Sequence, residues 1–165
     1  MTGQRPRGWH TGTPGPNTRR LLNEEGGFLY DLDACNDDLP YWHQHGGAPH
    51  LVIPFNLDVS DVAFASRLGF GSVEQFFTYL RDAFAVLYEE GKNSPKMMSI
   101  SLHSRLACRP GQSAALARFQ DAIGGNDNVW ICRRLDIAKH WHALHDDLAR
   151  RAKAETERRA LPPSR

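Results

Sequence analysis

The sequence lacks the features that would indicate a nucleic-acid-binding, membrane-embedded or secreted protein. Its formal net charge is only +1 over 165 residues, so no excess of one sign favours nucleic acid or an anionic membrane as a partner. No apolar run approaches the roughly 20 residues that a membrane helix needs, and the N-terminus has no hydrophobic signal region. We therefore expect a cytoplasmic protein with no nucleic-acid or membrane partner.

Cysteine is also scarce. Cys35, Cys108 and Cys132 are widely spaced and form no Cys-x-x-Cys pair. This pattern indicates reduced thiols and argues against a disulfide framework or a zinc site. Cys35 lies among carboxylates, which should raise its pKa, so it is a poor candidate for a nucleophile.

The residues that are present predict an α/β fold. The chain is long enough for one domain but short for a complete eight-stranded α/β barrel. The predicted strands are Phe28–Tyr30, Pro49–Phe55, Lys96–Leu102 and Val129–Cys132. The predicted helices are Thr18–Glu25, one from Val73 up to Gly91, one of about eleven residues between Pro110-Gly111 and Gly124-Gly125, and one from about Arg134 to Leu148. Their alternation favours parallel strands joined by helices, in one domain over 1–148 with a basic tail over 149–165 that is frayed or disordered.

The most unusual stretch runs from Gly26 to Trp42. A short apolar strand is followed by a concentration of side-chain oxygens, from Asp31, Asp33, Asn36, Asp37 and Asp38. On an α/β scaffold, ligands bind beyond the carboxyl ends of the strands, so these residues are candidates for a binding site. The alternative is an acidic surface loop, in which the crowded carboxylates would need pairing partners. Arg5, Arg19, Arg20, Arg105 and Arg109 could be those partners or could hold an anionic substrate, and structural pairing is the default interpretation.

Histidines supply the other candidates. His103 directly follows the apolar run Lys96–Leu102, where an imidazole can act as a general acid or base, although a purely structural histidine is an equal alternative. His43, His45 and His50 suggest zinc, but their spacing is not that of a helical ligand pair. We therefore predict no metal site in this chain.

Several ordered motifs together resemble the bacterial allantoinases of the polysaccharide deacetylase superfamily, and the similarity extends from Gly3 to about His145. The motifs are Arg5-Pro6-Arg7-Gly8-Trp9, Asn17-Thr18-Arg19-Arg20-Leu21, the Gly26–Trp42 stretch, Pro49-His50-Leu51-Val52-Ile53-Pro54, Gln75-Phe76-Phe77, Lys96-Met97-Met98-Ser99-Ile100 with Leu102-His103, and Arg109-Pro110-Gly111.

The resemblance implies the C-terminal portion of a distorted (β/α) barrel whose members hydrolyse C–N bonds. The bond would be the ring amide of allantoin, in purine degradation, or an N-acetyl group of a sugar in the wider superfamily. His103 would be the catalytic histidine that protonates the leaving nitrogen, and Arg5 would lie next to the catalytic base. Substrate-binding roles are implied for Trp9, Asp31, Asp33, Asn36, Asp37, Asp38 and Trp42.

The chain also departs from the family pattern. The early family motifs, an aspartate pair and a histidine pair that hold a divalent metal where one is used, would precede Arg5. His10 stands where the pattern has an aromatic residue and Thr13 where it has an arginine, and both departures bear on substrate recognition.

Four expectations follow from the resemblance and the departures. The chain carries no cofactor of its own, is incomplete and inactive alone, acts on a small allantoin-like substrate, and pairs with a separate N-terminal half or with itself. Two alternatives remain open: a fragment of a carbohydrate N-deacetylase, and a non-catalytic binding or assembly module.

Overall fold

The computed structural model describes residues 3–45, 48–67 and 69–146, which divide into two compact units between Ile131 and Cys132. The strands are β1 (Gly8–Trp9), β2 (Tyr30–Asp31), β3 (Tyr41–His45) and β4 (Ala48–Val52). The helices are α1 (Thr18–Glu25), a 3-10 helix (Asp61–Ala65), α2 (Val73–Glu90), α3 (Ser104–Ala107), α4 (Pro110–Ile123) and α5, which covers 134–146. None of the helices in the described ranges is both long and apolar enough to cross a bilayer.

The four strands form one mixed sheet in the order β1-β2-β4-β3. β1, β2 and β4 are parallel, with Trp9 opposite Asp31 and Asp31 opposite Val52. β3 is antiparallel to β4. The carboxyl ends of the three parallel strands therefore lie along the same edge of the sheet, which is where α/β proteins place their ligands.

Hydrogen bonds extend these short strands beyond their formal ends. The N–H groups of Leu29 and Leu32 donate to the carbonyls of Arg7 and Trp9 at 2.8 and 3.0 Å, and the Ile53 N–H donates to the Asp31 carbonyl at 2.9 Å. The predicted strands Phe28–Tyr30 and Pro49–Phe55 thus correspond to β2 and β4. The predicted α/β class, with parallel strands and helices, is confirmed.

Two strand predictions were wrong. The run Lys96–Leu102 forms no ladder, because its backbone is bonded to a loop: the Ser99 N–H donates to the Asn56 side chain at 2.8 Å, and the Ser101 carbonyl accepts from the Asp61 N–H at 3.1 Å. The run Val129–Cys132 is not a strand either, and Trp130 is 60% exposed, so this run is not the buried strand that its apolar character indicated.

The sequence also failed to predict β3. The residues of this strand, Tyr41–His45, have no alternating apolar pattern, and their strand conformation depends on pairing with β4. The predicted tail over 149–165 lies outside the described residues.

The predicted helices are confirmed within the described residues, because their signals are local; the end predicted near Leu148 lies outside those residues. α2 begins at Val73 with a capping box, in which Ser72 and Gln75 bond each other's backbone N–H groups. α4 is longer than predicted, at 14 residues, because Pro110 occupies its first turn, where a missing N–H costs nothing. These two helices pack together around a buried cluster of Val59, Phe76, Leu80, Ala115 and Phe119.

Candidate functional site

His103 lies beside a fully buried carboxylate, that of Asp61. The His103 ring Nδ1 is 2.7 Å from Asp61 Oδ1, and the His103 backbone N–H donates to Asp61 Oδ2 at 2.7 Å. The Asp61 side chain is 1% exposed, whereas the His103 side chain is 44% exposed. His103 is therefore bonded to both oxygens of the buried Asp61 carboxylate, while nearly half of its side chain is exposed to solvent.

Two short helices hold this pair. Asp61 opens the 3-10 helix, whose N-cap is Ser60, and the Asp61 N–H donates to the Ser101 carbonyl at 3.1 Å. His103 is the N-cap of α3, and its carbonyl accepts from the Leu106 N–H at 2.8 Å. Because both backbones are bonded at the position of the pair, the imidazole is fixed relative to the carboxylate.

The geometry determines which ring nitrogen can do chemistry. A carboxylate facing Nδ1 favours a proton on that nitrogen, so Nε2 is the atom that can give or take a proton. The pair can therefore serve as a general acid or base at Nε2.

Sequence reasoning found His103 but missed Asp61. An aspartate after a serine N-cap is common in the first turn of a helix, where it interacts with the helix dipole, so nothing local marks it as a histidine partner. The two residues are 42 positions apart, and only the loop that follows β4 brings them together.

Asp31 lies at the centre of a second buried network. Its side chain is fully buried and accepts from Arg19 Nε at 3.0 Å and from the Asp33 backbone N–H at 2.8 Å, and Nε2 of buried His50 is 3.0 Å away. Burial raises the pKa of Asp31, but His50 and Arg19 outweigh it and hold the pKa below its usual value. Asp31 thus carries its charge inside the protein, stabilised by the chain itself.

The rest of the acidic stretch is also bonded within the chain. Asp33 accepts from the Thr11 backbone and hydroxyl, both at 2.9 Å. Asp37 accepts from the backbone N–H groups of its neighbours Asp38 and Leu39, and the Asn36 side-chain oxygen accepts from the Tyr41 hydroxyl at 3.1 Å.

Asp38 has a partner from a distant part of the chain. Lys96 Nζ lies 2.8 Å from the Asp38 carboxylate. The hydrogen bond from Lys96 lowers the pKa of Asp38 and, in return, raises the pKa of the lysine. The crowded carboxylates therefore avoid mutual repulsion because each of them is provided with donors.

Arg5, Trp9 and Trp42 lie on or near the sheet. Arg5 pairs with Glu25 and has its guanidinium 5.5 Å from the centre of the Phe28 ring. Trp9, at the end of β1, is 37% exposed and packs edge-on against the same ring at 5.2 Å. Trp42 is part of β3, opposite Leu51. None of the described contacts joins Arg5 or Trp9 to His103, so their assignment to one site with His103 stays a prediction.

The described part of the chain brings no three His, Cys, Asp or Glu side chains together in a way that could hold a metal ion. His43 lies opposite His50 across β3 and β4, but His50 is directed at Asp31.

We compared the chain with known proteins and solved structures. No protein-family model matches it. It is 41% identical over 155 residues to a provisionally named polysaccharide deacetylase of Schizosaccharomyces pombe, and the match covers 85% of this chain and 48% of that protein. The crystal structure of a probable polysaccharide deacetylase from Pseudomonas aeruginosa PAO1 matches with a TM-score of 0.83 and 59% identity, over 87% of this chain and 49% of the other. The chain is similar to one half of a polysaccharide deacetylase superfamily protein.

Two more solved structures are similar to this chain. Puue allantoinase matches with a TM-score of 0.83 and 57% identity, over 87% of this chain and 48% of that chain. A provisionally named polysaccharide deacetylase from Mycobacterium smegmatis is more distant, at 25% identity and a TM-score of 0.70. This chain thus spans about half the length of each of these relatives, and the similarity to the superfamily agrees with the resemblance seen in the sequence.

Proposed function

We propose that this chain supplies the proton-donating side of a hydrolase that cleaves a C–N bond in a cyclic amide such as allantoin. The observation that carries the proposal is the His103–Asp61 pair, in which a buried carboxylate orients a half-exposed imidazole. The 57% identity to Puue allantoinase supports a cyclic-amide substrate, and hence a role in purine degradation.

In this reaction, water adds to the ring carbonyl, the C–N bond breaks, and the leaving nitrogen must gain a proton. His103 gives that proton from Nε2, and Asp61 holds the ring in place through Nδ1. Arg5 is proposed to lie next to the base that activates the water, and Trp9, Trp42 and the acidic stretch to form the substrate side of the pocket. We assign the water-activating group to the half of the relatives that this chain does not span.

The decisive experiment measures allantoin hydrolysis by this chain, alone and mixed with a polypeptide that corresponds to the unspanned half of its relatives. In the active preparation, His103→Ala should lower kcat by about 10²- to 10⁴-fold, the usual contribution of general acid catalysis. Asp61→Asn should lower kcat by about 10²-fold or more, because the ring loses its preferred tautomer.

Asp58→Asn is the matched control. Asp58 lies in the same loop, but its carboxylate accepts from the Tyr79 hydroxyl at 3.0 Å. We expect kcat to stay within about twofold of the unsubstituted protein, since surface changes of this kind are close to neutral. Unchanged turnover in a folded His103→Ala variant would contradict the proposal and favour a non-catalytic binding or assembly module.

A carbohydrate N-deacetylase is the second candidate, because the Schizosaccharomyces pombe and Pseudomonas aeruginosa relatives carry that name. The same pair would then protonate the sugar nitrogen as the acetyl group leaves it as acetate. Acetate release from N-acetylglucosamine oligomers, with no hydrolysis of allantoin, would favour this activity. Loss of that activity on titration with a chelator would further support a metal-dependent deacetylase.

A further inference from the structure

The structure contains a second histidine–aspartate pair with nearly the same geometry as the first. His10 Nδ1 lies 2.9 Å from Asp33 Oδ1, and the side chains are 44% and 1% exposed. The corresponding values for His103 and Asp61 are 2.7 Å, 44% and 1%. The proposed proton transfer uses only the His103–Asp61 pair, and the proposed function gives His10 no role.

Asp33 is held as firmly as Asp61. Its Oδ1 accepts from the backbone N–H groups of Thr11 and Gly12 at 2.9 and 3.2 Å, and its Oδ2 accepts from the Thr11 hydroxyl at 2.9 Å. Gly12 has φ +76°, a left-handed conformation that glycine adopts without strain, and this turn directs both N–H groups at Asp33. With three other donors on the carboxylate, Asp33 acts as an acceptor towards His10, so the neutral ring carries its proton on Nδ1.

His10 and Asp33 lie at the carboxyl ends of two parallel strands. His10 directly follows β1, Asp33 follows β2, and the His10 ring packs edge-on against Phe55, beyond the end of β4, at 5.3 Å. The next residue after Phe55, Asn56, is bonded to Ser99 in the run that leads to His103. These contacts lead from His10, beyond the end of β1, to the segment of the chain that carries His103.

We propose that His10 is a specificity-determining residue of the site, whose Nε2 accepts a hydrogen bond from a ring N–H of the cyclic amide. With its proton on Nδ1, the neutral ring presents Nε2 as an acceptor. An amide ring N–H is the complementary donor. The contact is the same in ground state and transition state, so it contributes to binding and not to the chemical step. This inference rests on the proposed function, since it names a substrate contact of the same site.

The test is allantoin hydrolysis by His10→Phe in the same active preparation, alongside His10→Gln. Phenylalanine keeps the ring packing on Phe55 but removes the acceptor, so KM should rise about three- to tenfold with kcat unchanged. The glutamine side-chain carbonyl restores an acceptor and should recover part of the loss. His140→Phe, which removes an exposed histidine of α5, is the matched control and should change neither constant.

Unchanged KM in His10→Phe would overturn the proposal, and so would a fall in kcat at constant KM, which would assign His10 to proton transfer. If His10→Phe does not fold, the unsubstituted protein can be titrated with hydantoin instead. The imidazole ¹⁵N resonances are recorded during that titration. A shift of His10 Nε2 supports the proposal, and no shift overturns it. If allantoin is not hydrolysed at all, the proposed function fails, and the hydantoin titration still decides whether His10 binds a cyclic amide.

Discussion

At Asp31, burial and pairing act in opposite directions on one carboxylate. Desolvation raises its pKa, but the contacts with His50 and Arg19 prevail and the pKa is lowered. A buried charge is tolerated only when it is paired and hydrogen-bonded, and removal of one partner exposes the full cost of burying the others. Asp31 therefore has a structural role whether or not it also faces a ligand.

We predict that Asp31→Asn lowers the free energy of unfolding by about 3 kcal/mol near pH 7, because Arg19 loses its buried counter-charge. Since the folded-state pKa is lowered, this stabilisation is present above the unfolded-state pKa of about 3.9 and is lost as the pH falls through the folded-state value. Urea unfolding at several pH values should show that the unfolding free energies of Asp31→Asn and of the unsubstituted protein converge below about pH 4.

The control for this prediction is Asp82→Asn. Asp82 pairs with its neighbour Arg81 on an exposed surface of α2, where ion pairs contribute little. No measurable change in stability is expected. If Asp31→Asn were as stable as Asp82→Asn at neutral pH, the buried network would not be stabilising.

At the scale of elements, helix ends and strand positions depend on different kinds of information. α2 starts at Val73 because Ser72 and Gln75, only three residues apart, satisfy each other's backbone groups. β3 forms only because β4 lies beside it, and Lys96–Leu102 is not a strand because a loop occupies its hydrogen bonds.

The capping box supplies a direct test. Ser72→Ala removes the acceptor of the Gln75 N–H and should lower the free energy of unfolding by about 1 kcal/mol. Asn17→Ala is the matched change, because Asn17 is the N-cap of α1 but makes no side-chain capping bond. Thermal unfolding should therefore show a decrease for Ser72→Ala that clearly exceeds the decrease for Asn17→Ala; equal effects would mean that the box does not stabilise α2.

A second element-scale prediction concerns the close approach of β1 and β2. A Cβ at Gly8 would lie 2.3 Å from the ring of buried Tyr30. Gly8→Ala should therefore be destabilising by about 1–3 kcal/mol, the usual cost of overpacking. Gly125→Ala, where a Cβ would meet nothing within 4 Å, is the control. If Gly8→Ala and Gly125→Ala unfold at the same urea concentration, the Tyr30 ring moves aside freely.

At the scale of the whole molecule, the chain matches about half of each relative. β1 is an outer strand of the sheet that the described residues form, and an outer parallel strand offers its free N–H and C=O groups to another strand. We propose that a polypeptide corresponding to the other half of the relatives pairs with this chain along β1.

Mixing the two polypeptides should therefore raise the unfolding temperature of this chain in proportion to the logarithm of partner concentration, as mass action requires for a ligand of the folded state. Differential scanning fluorimetry and light scattering would measure both the shift and the stoichiometry. A constant unfolding temperature up to a large excess of partner would contradict the pairing. A homodimer of this chain that excludes the partner would favour self-association instead.

Much of the site could be expected from sequence, and the missing part has a clear cause. His103 is marked by its position after an apolar run, and the acidic stretch by its composition. Asp61 was missed because it is 42 residues from His103 and resembles an ordinary first-turn aspartate. The partners of the acidic stretch were equally hidden, since Lys96 is 58 residues from Asp38.

The α/β class, the start of α2 and the chemically reactive residues can be predicted from local patterns, because they depend on periodicity and on contacts within a few positions. Long-range packing sets which of those residues are bonded inside the protein and which face solvent. Burial and pairing fix Asp31 and Asp33 inside the chain, whereas the His103 and His10 rings remain half exposed on buried carboxylates. That difference arises from long-range packing, which brings distant donors to each carboxylate and which no local pattern encodes.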